Sequence, residues 1–264
     1  RLTHRKMTKI DLSDGLVLVT GGAGSIGSAI AVQAAQAGAS VAVCDINLKA
    51  AESVAAEIRA NGGRSKQYQL DVTDAGAVKN IMQSAVEELG QLRGLVTAAG
   101  LLRTGPLASQ SPQAWQDMMA VNVDGTFHAV QAAVPYLQST RGSIVTLGSV
   151  SAFIGSADGG GYTTTKGAVL SLSYAAAGEL APQGIRVNNV APGWVDGGFT
   201  HQAMEASGDP EALRAKACAL HPLGRMATPG DVANAAVWLL SDQAAFITGS
   251  MLLVDGGFMI QHNG

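Results

Sequence analysis

The sequence predicts an α/β fold, a doubly wound seven-stranded parallel sheet with helices on both faces, on three observations. Apolar, β-rich runs recur along the chain, segments of helical period separate them, and the runs are apolar throughout instead of alternating. The last pattern belongs to strands covered on both faces. Hydrophobic residues make up 47% and charged residues 14% of the 264, with 33 glycines, enough to bury a sizeable core in one large domain.

In chain order the strands are expected at 16–20, 40–45, 68–72, 95–99, 143–148, 186–190 and 251–254. The helices are expected at 26–37, 48–60, 75–89, 114–137, 162–180 and 229–240, with Gly38 closing the first and Asp74 opening the third. Segment 194–225 is richer in Gly, His, Met and acidic residues, and reads as an irregular substrate lid before the last helix. No linker or repeat divides residues 10–264, while residues 1–9 read as a leader or disordered N-terminus with Met7 as the native start.

The formal net charge is −3 and Lys and Arg do not cluster, which argues against a nucleic-acid partner. No run of 18 apolar residues exists to cross a membrane. Cys44 and Cys218 lack metal-ligand spacing and the five histidines are scattered, so no metal site is expected. Both cysteines read as reduced, in keeping with a cytoplasmic protein.

The first strand runs into Thr20-Gly-Gly-Ala-Gly-Ser-Ile-Gly27, where Gly22, Gly24 and Gly27 spell G-x-G-x-x-G before a helix. Glycine permits a tight turn and a close backbone approach to a pyrophosphate, and the helix N-terminus attracts the anion. This strand–loop–helix setting marks a Rossmann-type nucleotide site. Asp45 ends the second strand, 18 residues beyond Gly27, where a carboxylate accepts from adenosine ribose hydroxyls and repels a 2′-phosphate. NAD is therefore favoured over NADP. Asp71, at the end of the third predicted strand, can face the adenine or serve as a turn residue. Tyr162 and Lys166 stand one helical turn apart across three threonines, a spacing that alone fits a plain helix surface as well as a functional pair.

Taken in order, these residues resemble the short-chain dehydrogenase/reductase family, in its common single-domain branch. Asn122 in Val-Asn-Val-Asp-Gly, Ser149 lying 13 residues before Tyr162, the Tyr162-x-x-x-Lys166 pair, Arg186-Val-Asn-Asn-Val-Ala-Pro-Gly193 and Val254-Asp-Gly-Gly257 extend the match. The resemblance implies Asn122, Ser149, Tyr162 and Lys166 as the catalytic residues. It implies cofactor contacts from Gly21, Gly24, Ser25, Ile26, Gly27, Asp45, Ile46, Asp71, Val72, Ala98, Ala99, Gly100, Tyr162, Lys166, Pro192, Gly193 and Val195. Three departures from the family pattern stand out: Ser25 for a Gly, Thr97 and Ala98 for two asparagines, and Gly197 for a Thr that Thr200 or the Val195 backbone would replace.

The chemistry implied is reversible oxidation of a secondary alcohol, with Tyr162 as acid/base, Lys166 and the oxidised nicotinamide favouring its phenolate, Ser149 holding the substrate oxygen and Asn122 continuing a proton relay through water. Substrate contacts are expected from Ser149, Ser151, Phe153, Tyr162, Trp194 and Phe199. With no cationic clamp before Arg214, a neutral cyclic or polyol-like small molecule is favoured. A 3-oxoacyl thioester (acyl-carrier-protein) reductase and a catalytically idle nucleotide sensor or scaffold remain the alternatives. The resemblance also implies a homotetramer joined through helices near 112–138 and 162–181.

Overall fold

The computed structural model describes residues 10–13, 15–155 and 158–260; the expected leader, residues 1–9, lies outside them. The chain alternates strand and helix as β1 Leu16–Thr20, α1 Ser25–Gln36, β2 Ser40–Asp45, α2 Leu48–Ala60, β3 Arg64–Gln69, α3 Ala75–Leu89 and β4 Leu92–Thr97. The second half continues through α4 Pro112–Met118, a π-helical turn Met119–Asp124, α5 Gly125–Thr140, β5 Ser143–Leu147, α6 Gly160–Leu180 and β6 Arg186–Pro192. It ends with α7 Phe199–Ala206, α8 Pro210–Ala219, α9 Pro229–Leu240 and β7 Met251–Val254.

All seven strands pair in parallel in the order β3-β2-β1-β4-β5-β6-β7. The order reverses between β1 and β4, which opens a crevice at the carboxyl edge. The pleat sorts the side chains into two cores. Val17, Val19, Val41 and Val43 face α1, α2 and α9 through Ala31, Ala34, Ala51, Ala55, Ala233 and Ala236. Leu16, Leu18, Ala42 and Leu95 face α3, α5 and α6 through Val78, Met82, Ala129, Ala133 and Ala176. Small residues on the helices let them lie close to the sheet and to each other.

Several expected boundaries move. The third strand is Arg64–Gln69, not 68–72, because it is an edge strand whose burial alternates and whose sequence is polar. Asp71 consequently lies beyond the strand, its Oδ1 accepting from Thr73 N–H and Oγ1–H. The fourth strand starts at Leu92, three residues before the expected run, since Arg93 and Gly94 mask it. The expected 114–137 helix is α4 and α5 joined by the π-helical turn that contains Asn122. Segment 194–225, expected to be irregular, contains α7 and α8.

Arg186, at the start of β6, fastens α9 to the sheet. Its guanidinium donates to the carbonyls of Leu239 at 2.8 Å, Ser241 at 3.1 Å, Leu240 at 3.3 Å and Ile247 at 3.4 Å, covering the orphan acceptors at the helix C-terminus. Arg186→Met is expected to lower stability by about 2 kcal/mol or more, because these carbonyls lose a charged donor. That corresponds to a fall of about 4 to 8 °C in thermal midpoint; an unchanged midpoint by calorimetry would contradict the assignment.

Candidate active site

A cleft of about 770 Å³ lies at the carboxyl edge where the strand order reverses. Its floor is the β1–α1 loop. Gly21 has φ +63°, and a Cβ there would stand 2.5 Å from the Ala99 backbone, so the loop must be bare to pass β4. A Cβ on Gly27 would collide with the Gly21 carbonyl, which keeps α1 hard against the loop. The first turn of α1 carries no acidic side chain and Gly24 gives no side-chain cap, so the N–H groups there remain available to an anion.

Asp45 stands at the cleft wall with its carboxylate fixed from two sides. Oδ2 accepts from Ala23 N–H at 3.1 Å and Oδ1 from Asn47 N–H at 3.0 Å, tying the end of β2 to the glycine loop. Every expected cofactor residue, from Gly21 through Asp45, Ile46, Asp71, Val72, Ala98, Ala99 and Gly100 to Pro192, Gly193 and Val195, lines the same cleft. Ser25 and Gly197 touch: a Cβ on Gly197 would collide with the Ser25 hydroxyl. The departures at 25 and 197 are thus one steric exchange across the cleft.

Tyr162 and Lys166 leave α6 on the cleft side. Lys166 is 6% exposed, and its Nζ donates to the Leu147 carbonyl at 2.8 Å while lying 5.5 Å from the Tyr162 ring centroid. Burial pulls the ammonium down to about 8. Burial also pushes the Tyr162 phenol well above its ordinary value, opposed by a hydrogen bond with Ser149. Ser149 follows β5, and its Oγ accepts from Ser151 N–H at 3.1 Å. Phe199 meets the Tyr162 ring edge to face, with centroids 6.3 Å apart and planes at 85°.

Asn122 is 1% exposed and stands behind the wall, not on it. Its Oδ1 accepts from Leu101 N–H at 2.7 Å, and its Nδ2 donates to Leu101 O and Thr165 Oγ1, both at 2.9 Å. The Asn122 carbonyl accepts from Thr126 Oγ1 at 2.7 Å. Of the expected substrate residues, Ser149, Ser151, Tyr162, Trp194 and Phe199 line the cleft, whereas Phe153 is 45% exposed and does not. Trp194 also packs on the small core of Met204, Ala217 and Met226, and its backbone N–H donates to buried His221 Nε2 at 3.2 Å.

Sequence reasoning missed Val121, Thr163, Gln202 and Ala203 as lining residues and Thr165 as a partner of Asn122. The amphipathic spacing of Thr200, Ala203 and Met204 was a signal for α7; no comparable signal announced Thr165.

Residues 21–259 match the family described as Enoyl-(Acyl carrier protein) reductase. The chain is 40% identical to 2-(S)-hydroxypropyl-CoM dehydrogenase 3 of Xanthobacter autotrophicus over 93% of its own length and 97% of the relative's. It is 38% identical to the 2,5-dichloro-2,5-cyclohexadiene-1,4-diol dehydrogenase LinX of Sphingobium indicum, covering 94% and 98%. Among solved structures, carveol dehydrogenase from Mycobacterium avium in complex with NAD superimposes with a TM-score of 0.89 at 30% identity, covering 96% and 100%. With the parallel sheet, the glycine loop and the Ser149–Tyr162–Lys166 grouping, these matches identify the chain as a member of the short-chain dehydrogenase/reductase family.

Proposed function

We propose that this protein is an NAD-dependent dehydrogenase that interconverts a neutral, cyclic or polyol-like secondary alcohol and its ketone. The observation that carries the substrate class is the charge of the cleft: among the described lining residues Lys166 is the one Lys, Arg or His, and it is buried against Leu147. The walls around Tyr162 are apolar, from Leu101, Leu102, Val121, Trp194 and Phe199, and the other charged lining residues are Asp45, Asp71 and Asp158. An anionic substrate would meet no clamp there. The diol dehydrogenase among the relatives and the carveol dehydrogenase with bound NAD support the same reading.

The residues present fit NAD. The bare β1–α1 loop and the uncapped first turn of α1 suit a pyrophosphate, and the fixed Asp45 carboxylate suits two ribose hydroxyls while repelling a 2′-phosphate. The bound nicotinamide supplies the hydride acceptor or donor. Lys166 retains two ammonium protons beyond the one given to Leu147, enough to reach a ribose. The proposed assembly is a cytoplasmic homotetramer, supported by two unpaired cysteines and by Phe127 on α5 and Tyr174 on α6, 44% and 46% exposed.

In the proposed mechanism the Ser149 hydroxyl holds the substrate oxygen beside the Tyr162 phenol. In reduction, Tyr162 delivers its proton to the carbonyl oxygen, and burial keeps that proton in place at neutral pH. In oxidation, Tyr162 must first lose it, and the Lys166 ammonium one turn along α6 stabilises the phenolate that forms. Phe199, at the start of α7, covers one side of the Tyr162 ring in the cleft.

Tyr162→Phe is expected to reduce turnover of a cyclic secondary alcohol with NAD by about a hundredfold or more. NADH binding, followed by fluorescence, should stay within about threefold of the parent; turnover near the parent rate would defeat the acid/base role. Asp45→Ser is expected to lower the NAD-over-NADP ratio of kcat/KM by about tenfold or more, by removing the repelling carboxylate. An unchanged ratio would defeat the assignment of Asp45.

A further inference from the structure

Three threonines separate Tyr162 from Lys166, and they go to three different places. Thr163 lines the cleft. Thr164 is exposed, and its Oγ1 donates to the Gly160 carbonyl at 2.9 Å, within its own helix. Thr165 points the other way, is 1% exposed, and bonds outside α6.

The hydroxyl of Thr165 has one proton, which goes to the Tyr162 carbonyl at 2.8 Å. Its oxygen is therefore the acceptor for Asn122 Nδ2 at 2.9 Å. The other Nδ2 proton goes to Leu101 O, and Asn122 Oδ1 accepts from Leu101 N–H. A flipped carboxamide would set its NH2 against the Leu101 N–H, so the orientation is single. The result is a continuous path, Tyr162 carbonyl to Thr165 to Asn122 to the Leu101 peptide, joining the helix of Tyr162 and Lys166 to the opposite wall of the cleft.

We propose that Thr165 is a positioning residue for hydride transfer: its hydroxyl, through Asn122, fixes Tyr162 relative to the Leu101 wall against which the substrate lies. This rests on the dehydrogenase reading. Asn122 stands in the π-helical turn, a local break in regular helix of the kind found at functional sites. The β-branched side chain suits the task, since the Thr165 methyl group restricts rotation and holds the oxygen in one direction. Threonine inside a helix otherwise has a modest cost, and here the buried Oγ1 has a partner outside the helix that offsets it.

The test compares Thr165→Val, which keeps shape and removes the acceptor, with Thr165→Ser, which keeps the acceptor. With NAD and a neutral cyclic secondary alcohol, Thr165→Val should lower kcat by about tenfold to a hundredfold, the scale of a small misplacement of reacting groups. KM for NAD should stay within about threefold, because the nucleotide half of the cleft does not depend on Thr165. Thr165→Ser should recover kcat to within about threefold of the parent. The inference is overturned if Thr165→Val keeps the parent kcat, or if Thr165→Ser is as impaired as Thr165→Val, which would make the methyl group the cause. If the parent itself turns over no such alcohol, the dehydrogenase reading fails and this inference with it, whereas an active parent with an equally active valine variant removes Thr165 alone.

Discussion

The site depends on keeping one ammonium group out of water. Lys166 is buried at the end of β5, with the Leu147 carbonyl as its protein partner, and its proton affinity falls toward neutrality. Tyr162, one turn earlier, is pushed the opposite way by the same burial. Each group alone favours its neutral form there, yet phenolate and ammonium together attract strongly because little solvent screens them. In the proposed mechanism this pair passes the proton to or from the substrate oxygen.

Such a pair works only if α6 cannot shift on the sheet. A buried chain of side chains provides the anchor: Asn189 Nδ2 donates to Thr146 Oγ1 at 2.8 Å, Thr146 and Ser173 share a 2.6 Å hydrogen bond, and Ser173 donates to the Val169 carbonyl at 2.7 Å. It spans β6 and β5, which lead into Gly193 and Ser149, and α6, which carries Tyr162. The lid is fastened more lightly at the surface. Asp196 holds Arg214 through an exposed ion pair, which contributes little in water, and His201 through a hydrogen bond, while buried His221 fixes the Trp194 peptide. The Tyr162 side of the cleft is thus fixed by buried bonds, whereas α7 and α8 are held at the surface by exposed ones.

The central sheet was legible because its strands are buried on both faces and their apolar runs cannot hide. The edge strand Arg64–Gln69 was not, since one exposed flank lets it carry Arg, Lys and Gln. Asp45, the glycine loop, Ser149 and the Tyr162–Lys166 pair were readable as spacings along the chain, and all of them reach the cleft. Phe153 was misplaced because closeness to Ser149 in sequence does not fix the direction of a side chain beyond a 3-10 turn. Ser25 and Gly197 looked like two unrelated departures and are one contact across the cleft, visible only in three dimensions. Thr165 escaped for the same reason, as its partner lies 43 residues away.

In the proposed mechanism the Lys166 charge sets the proton affinity of Tyr162. The direct measurement is the pH profile of kcat/KM for alcohol oxidation by NAD in the parent protein and in Lys166→Met. Oxidation needs the phenolate, and a neighbouring cation lowers the phenol's proton affinity. The rising limb should therefore move to higher pH when the ammonium is removed. A limb that stays in place would show that Lys166 does not tune Tyr162.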